Sequence, residues 1–397
     1  MMKAFSKKCT KVFRETHASW SFFCSSSHIS RSPVNVTPTE PYIHRLPVEL
    51  LQQVFLLVVN DVLDCPSIFS SGYGTISVNV ASPPLVLTRV CRLWRVVAHS
   101  TAGIWSRIQV ALPGRVEELT PFLPHLLQCW LVRSGSLPLT LHIVELDTGK
   151  PQSYPYPTCL DHYYTWMSSV GDFRILDILI SESKRWETVV MPRVYDQRFN
   201  FDTPQLRSLE CHLSNLGKFY APNLSCLYIK DGFCRTFPIP TCKDLRHLHL
   251  RDASACAICS TIAGFSHLET IRVDEIIFSR DVPAPRACDS TTLEFMTLPL
   301  PSPMSDNFRQ EFIDVFSLLH LPVLQKLTLV GVPKKRQVDC LLAVLAVASF
   351  RVPVVDFQTD EPLSKVYINK IEPLLSIVGE VSFCGNLLQI NEHRNWR

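Results

Sequence analysis

One pattern constrains this chain more than any other. The arrangement apolar-x-x-apolar-x-apolar recurs as Trp186/Val189/Met191, Leu206/Leu209/Cys211, Leu224/Leu227/Ile229 and Leu245/Leu248/Leu250. It continues as Leu268/Ile271/Val273, Leu293/Met296/Leu298 and Leu324/Leu327/Leu329. First positions are spaced by 20, 18, 21, 23, 25 and 31 residues, and Pro204, Pro222 and Pro322 mark a turn into three of the units. The last two apolar positions of each unit alternate with other residues, as in a short strand. One such strand cannot bury its own apolar side. Strands stacked side by side bury a continuous ribbon, each leucine contributing roughly 1.5–3 kcal/mol.

These periods fit leucine-rich repeats of irregular length. The asparagine ladder of regular repeats is missing, so the units resemble a divergent form. An ordinary α/β domain with Leu-rich strands is the alternative. The expected fold class is α/β, with residues 111–397 forming an irregular solenoid whose curved parallel sheet lines its concave side. Thr120-Pro121 predicts a helix carrying Phe122, Leu126, Leu127, Trp130 and Leu131 and ending at Gly135. Leu137, Leu139, Leu141 and Ile143 alternate as a strand does, and Asp306 is expected to cap a helix through Phe308, Phe312, Phe316 and Leu319.

Residues 41–110 read differently. Leu46, Leu50, Val54 and Val58 recur every four residues, with Leu51 and Phe55 beside them, which predicts a helix with a wide apolar stripe. Residues 60–82, with Asp64-Cys65-Pro66 and Ser70-Ser71-Gly72-Tyr73-Gly74, are expected to be a loop. Ser82-Pro83-Pro84 then opens a helix with Leu87, Val90, Cys91, Trp94, Val97 and Ala98 on one side. Gly103 and Ile104-Trp105 close the unit.

Leu46-Pro47-Val48-Glu49-Leu50, then Val90-Cys91-Arg92-Leu93-Trp94, then Ile104-Trp105 follow the order of the F-box family, which this segment resembles. An F-box followed by divergent leucine-rich repeats is similar to the large F-box sets of mushroom-forming fungi. The resemblance implies docking on a Skp-type adaptor, and through it on a cullin scaffold with a ubiquitin-transferring partner. Position by position it makes Leu46, Pro47, Leu50, Val54, Phe55, Leu85, Val90, Cys91 and Trp94 adaptor-facing, with Trp105 closing the module's own core. The link between the helices is longer than the family's usual one, and insertions in a loop cost little closure entropy.

If the paired apolar positions of each repeat point inward, the residues between and beside them form an outward stripe. It holds Glu210, His212, Tyr228, Lys230, His249, Arg251, Arg272, Asp274, Thr297, Lys326 and Thr328. Its middle is biased to positive charge, so His212, Tyr228, Lys230, His249, Arg251 and Arg272 are the expected contacts to an acidic or phosphorylated target segment.

The remaining signals mostly exclude. A net charge of +3 gives no global reason for nucleic-acid binding. No apolar run approaches the roughly 20 residues of a membrane span. Fifteen scattered cysteines, with no framework spacing, read as buried free thiols of a cytoplasmic or nuclear protein. Cys256-Ala-Ile-Cys259, near Cys242, His247 and His249, is a weak zinc signal beside that reading, and no metal or cofactor is expected. With 13 glycines and no phosphate-cradling or nucleophile motif, an enzyme is not expected either. Residues 1–40 are basic and serine-rich, which fits a disordered leader better than a transit peptide. The expected function is target recognition within a cullin-type ubiquitin ligase. The alternatives are a scaffold outside ubiquitin transfer and, further off, an enzyme with a dispersed site.

Overall fold

The structure, a computed structural model, describes residues 42–61, 64–72, 75–113, 119–145, 170–191, 199–230, 242–277, 287–300, 312–313, 315–359 and 369–387. The expected leader, Asp306 and Phe308 lie outside these residues. The fold is mixed α/β, built on one large, mostly parallel sheet.

Twelve strands make that sheet, and their spatial order is their chain order. They are β3 (Arg107–Leu112), β4 (Leu139–Glu145), β5 (Trp186–Val190), β6 (Ser208–Cys211), β7 (Cys226–Ile229) and β8 (His247–Ala253). There follow β9 (Thr270–Ile276), β10 (Phe295–Pro299), β11 (Lys326–Val330), β12 (Val354–Gln358), β13 (Glu380–Phe383) and β14 (Asn386–Leu387). All neighbours pair in parallel except β13 and β14, which are antiparallel.

Every residue of the seven apolar triplets is buried. The same spacing continues in residues that are not leucine: Trp105/Ile108/Val110 lead into β3, Val352/Val355/Phe357 into β12 and Val378/Val381/Phe383 into β13, all buried. Three of the units enter their strands through the same turn. Leu206, Leu224 and Leu324 donate their N–H to the carbonyls of Thr203, Ala221 and Leu321 at 3.1, 3.3 and 3.2 Å. Those turns put Pro204, Pro222 and Pro322 in the second position, which the ring's fixed φ suits. One residue further on, Arg207, Ser225, Arg246, Glu269, Glu294 and Gln325 each donate to the preceding unit. Local turn chemistry and strand pairing therefore agree at each repeat.

Three short helices precede the sheet: α1 (Val48–Asn60), α2 (Pro83–Val90) and α3 (Arg92–Ser100). The expected single helix after Ser82 is broken at Cys91, whose φ of −156° and ψ of 177° are those of extended chain. The Cys91 sulfur instead accepts the Trp94 N–H at 3.4 Å and starts α3. Ser82 holds the N-cap position of α2 without a side-chain cap bond, so the proline ring at the helix start sets that end.

The stretch expected to be a loop contains a hairpin, β1 (Phe69–Gly72) and β2 (Thr75–Val78), paired antiparallel. Beside it, Ile68 donates its N–H to Gln109 O at 3.0 Å, and Gln109 donates to Pro66 O at 2.8 Å. The insertion thereby covers the β3 edge of the sheet, which would otherwise present unpaired backbone groups. Ile68 and Phe69 are buried in the act. Glycine and serine marked a turn here; the two strands flanking it pair with each other, and only the stretch just before them pairs outside the segment.

Helix α4 (Phe122–Arg133) ends as expected, with Gly135 at φ +59°, a conformation that favours glycine. Helices α5 (Val170–Ile180), α6 (Ala255–Gly264) and α7 (Lys335–Val347) complete the longer ones among the described residues. Phe312 and Phe316 are helical and buried as expected. Leu319 is not helical; it begins a short strand that pairs with Cys288–Asp289. The helices and the sheet share one apolar core, running from Leu51 to Phe383. Trp105 joins them: its ring meets Trp130 of α4 edge-on at 4.9 Å, its Nε1 donates to Ala98 O, and its carbonyl accepts Trp130 Nε1. Trp105 thus closes more than the helical segment's own core, and β3 straddles residue 110. No helix among the described residues is long and apolar enough to cross a membrane.

Candidate functional site

Two surfaces carry the expected contacts. The first is the outer side of α1. Leu51, Phe55 and Val59, spaced every four residues, face the core. Leu46, Leu50, Val54 and Leu57 face outward, with relative exposures of 38, 53, 38 and 63%. Ile43 and Val48 are exposed as well. A water-soluble helix rarely leaves so many large apolar groups together in solvent unless something covers them.

Of the nine expected adaptor contacts, Leu46, Pro47, Leu50, Val54 and Val90 are exposed and Leu85 and Cys91 are half-buried. Phe55 and Trp94 are corrections. Both are buried and their rings pack at 5.0 Å, tying α1 to α3. Side chains one position either side of a helix face are hard to assign from spacing alone, and these two were placed on the wrong side. Leu57 and Val96, both exposed, were missed. Leu57 lies three residues beyond Val54, where the four-residue spacing pointed instead to Val58, which is half-buried.

The second surface is the outward side of the sheet. One row of registered residues crosses it: Gln109, His142, Val190, Glu210, Tyr228, His249, Arg272, Thr297, Thr328, Asp356 and Ser382. Register thus brings Glu210, Tyr228, His249, Arg272, Thr297 and Thr328 of the expected stripe into one row, of which Thr328 is buried. His142, Val190, Asp356 and Ser382 extend it beyond the residues singled out from sequence. His142 alternates with Leu141 and Ile143, but its neighbour strand begins more than forty residues later, so its place in the row was not legible.

The charges on this surface are paired. Lys230 Nζ meets Glu210 Oε1 at 2.6 Å, and Arg272 Nε meets Asp274 Oδ1 at 2.9 Å. Asp274 Oδ2 takes His249 Nε2 at 2.7 Å. Burial would raise the Asp274 pKa, but the bonds from Arg272 and His249 outweigh it and hold the carboxyl below its ordinary value. The positive middle read from sequence is thus answered by two carboxylates. Arg251 is exposed on β8, and His212 sits past the end of β6, opening the helical turn Leu213–Leu216.

Tyr228 and His249 stack face to face, with ring centroids 4.0 Å apart and planes within 7°. Beside them lies an open depression of about 400 Å³, lined among others by His142, Val190, Ser208, Glu210, Cys226 and Tyr228. The His142 pKa is lowered, chiefly by burial; the Glu210 charge acts the other way. Burial likewise raises the Tyr228 hydroxyl, helped by Asp274 and Glu210.

Further along the row, Asp356 is buried. It accepts Ser382 Oγ at 2.6 Å and Gly385 N–H at 3.0 Å, and pairs with Lys326 Nζ at 2.8 Å. Burial alone would raise its pKa, and these three donors bring it below the ordinary value.

The weak zinc signal divides between two sides of the sheet. Cys242 and Cys259 are in the core, whereas His247 and His249 line the outward depression. No cluster of three or more candidate metal ligands occurs among the described residues. Burial pushes the Cys211 thiol up to about 12 and Cys242 up to about 11, so both stay protonated and inert at neutral pH.

Compared with known proteins, the chain stands alone: no family model, no curated protein and no solved structure matches it.

Proposed function

We propose that this chain is the substrate-recognition subunit of a cullin-type ubiquitin ligase. Its helical segment acts as an F-box that docks on a Skp-type adaptor, and its repeat sheet, read as a divergent leucine-rich-repeat solenoid, holds the target protein. The chain itself breaks no bond. It raises the effective concentration of target lysines near the charged ubiquitin carrier.

The observation that carries this reading is the outward row of Leu50, Val54 and Leu57 on α1, with Leu46 just before the helix. It starts in the Leu-Pro-x-Glu-Leu segment whose resemblance implies adaptor contact. The inward row of Leu51, Phe55 and Val59 already holds the helix to the core, so the outer row is free for a partner. Covering each such side chain contributes roughly 1.5–3 kcal/mol. The fixed join at Trp105 and Trp130 supports the same reading, because an adaptor must hold its target at a set distance from the ligase.

Co-purification with a Skp-type adaptor tests this, wild type beside a Leu50→Asp, Val54→Asp double variant. Binding by wild type and loss in the variant, with an unchanged unfolding midpoint, is expected, since a buried unpaired carboxylate is costly in an apolar interface. Absence of binding by folded wild type overturns the reading.

A further inference from the structure

We propose that the depression between His142 and Tyr228 is a binding site for an arginine side chain presented by an extended segment of a partner protein. The site deepens the target-recognition reading by naming the chemistry of the target, and it rests on that reading only for its biological use.

The floor comes from residues with little reach. Thr188 and Val190 on β5, Ser208 on β6, and Cys226 on β7 all line the depression. Taller groups stand on either side. His142 lies on β4, and Tyr228 on β7, in register through Val190 and Glu210. Three strand spacings separate them, roughly 14 Å between backbones. Val190 and Glu210 stand within that gap, so the space left between the rings accepts a single planar side chain and not a globular surface.

The walls choose its charge. One face of the Tyr228 ring is covered by His249 at 4.0 Å, so the uncovered face turns toward β6, where Glu210 stands. A ring face and a carboxylate on the same side of a slot form a receptor for a cation. Of the cations beside the slot, Arg272 is turned to Asp274 at 2.9 Å and Lys230 to Glu210 at 2.6 Å, so each offers an incoming anion little. Glu210 acts on His142 from two strands away, more strongly than the opposing charge of its partner Lys230 does.

Arginine fits better than lysine for two reasons. Its planar guanidinium stacks on a ring while its N–H groups reach a carboxylate in the same plane. Glu210 already holds Lys230 through one oxygen at 2.6 Å, but a carboxylate accepts several donors, so an incoming fork adds to that pair or replaces it. The Lys230–Glu210 pair is half-buried and held through a single oxygen, so it competes with the incoming fork without excluding it.

The test uses the full chain without any adaptor, so it stands or falls separately from docking. A fluorescent glycine-serine peptide carrying a pair of arginines is titrated by anisotropy beside otherwise identical peptides carrying lysines, glutamates or phosphoserines. The arginine peptide is expected to bind best, less tightly in high salt, and roughly tenfold more weakly to Glu210→Gln and to Tyr228→Leu. Both substitutions are on the surface, and a circular dichroism melt confirms folding. Tighter binding of the phosphoserine or glutamate peptide would show an anion site and overturn the proposal. So would equal binding of all peptides, or arginine binding that ignores Glu210→Gln.

Discussion

The helices between residues 48 and 100 and the sheet between 107 and 387 treat their apolar residues in opposite ways. In the sheet, every position of the repeated triplet is covered by a neighbouring unit or by the core. On α1, a row every bit as apolar as the one facing inward is left in water. Burial in the sheet is self-sufficient, because each strand finds its partner in the next unit of the same chain. The outer row of α1 has no such partner among the described residues. The contrast separates residues that hold the fold from residues that are available to bind, although both kinds read as leucine in the sequence.

The largest effect that sharpens this contrast is in the ladder. Leu250→Ala, in the middle of β8 and fully buried, is expected to cost about 2–5 kcal/mol in urea unfolding. A cost near zero would mean that the ladder does not carry the fold. The Leu50→Asp, Val54→Asp variant should by contrast unfold like wild type, as surface substitutions do.

A smaller effect is expected at Asp356, the buried carboxylate on the otherwise outward row. Asp356→Asn should cost about 1–3 kcal/mol at neutral pH, through the weakened bonds to Lys326, Ser382 and Gly385. Because its folded pKa lies below the unfolded one, its contribution is complete above the ordinary aspartate pKa of about 4. It is lost as pH falls through the lower, folded value. The gap between wild type and Asp356→Asn, followed by urea unfolding across the acid range, should therefore close toward low pH. A gap that widens on acidification would contradict the network.

How much of this was legible depends on what decided each feature. The triplets at residues 186–329 were readable because leucine at fixed spacing has one economical use. Val352/Val355/Phe357 and Val378/Val381/Phe383 obey the same spacing, but they lie beyond the leucine-bearing units that make the run readable. The stripe's residues followed from strand alternation, but its ion pairs did not: register puts Glu210 beside Lys230, and Arg272 turns along its own strand to Asp274. The hairpin at residues 69–78 was hidden for a related reason, since its neighbouring segment pairs with β3, some forty residues away. On α1 the stripe was visible, whereas the boundary between its inward and outward halves was fixed only by Trp94 packing on Phe55. Contacts between segments distant in sequence, which local propensity does not show, decided the edge cover of β3, the Glu210–Lys230 pair and the inward face of α1.

The most direct test of the central claim is amide hydrogen exchange on the full chain, alone and saturated with a Skp-type adaptor. The account predicts slowed exchange along α1, from Val48 to Asn60, with β6–β9 unchanged. Slowed exchange on those strands with α1 unaffected, or no change anywhere, would contradict it.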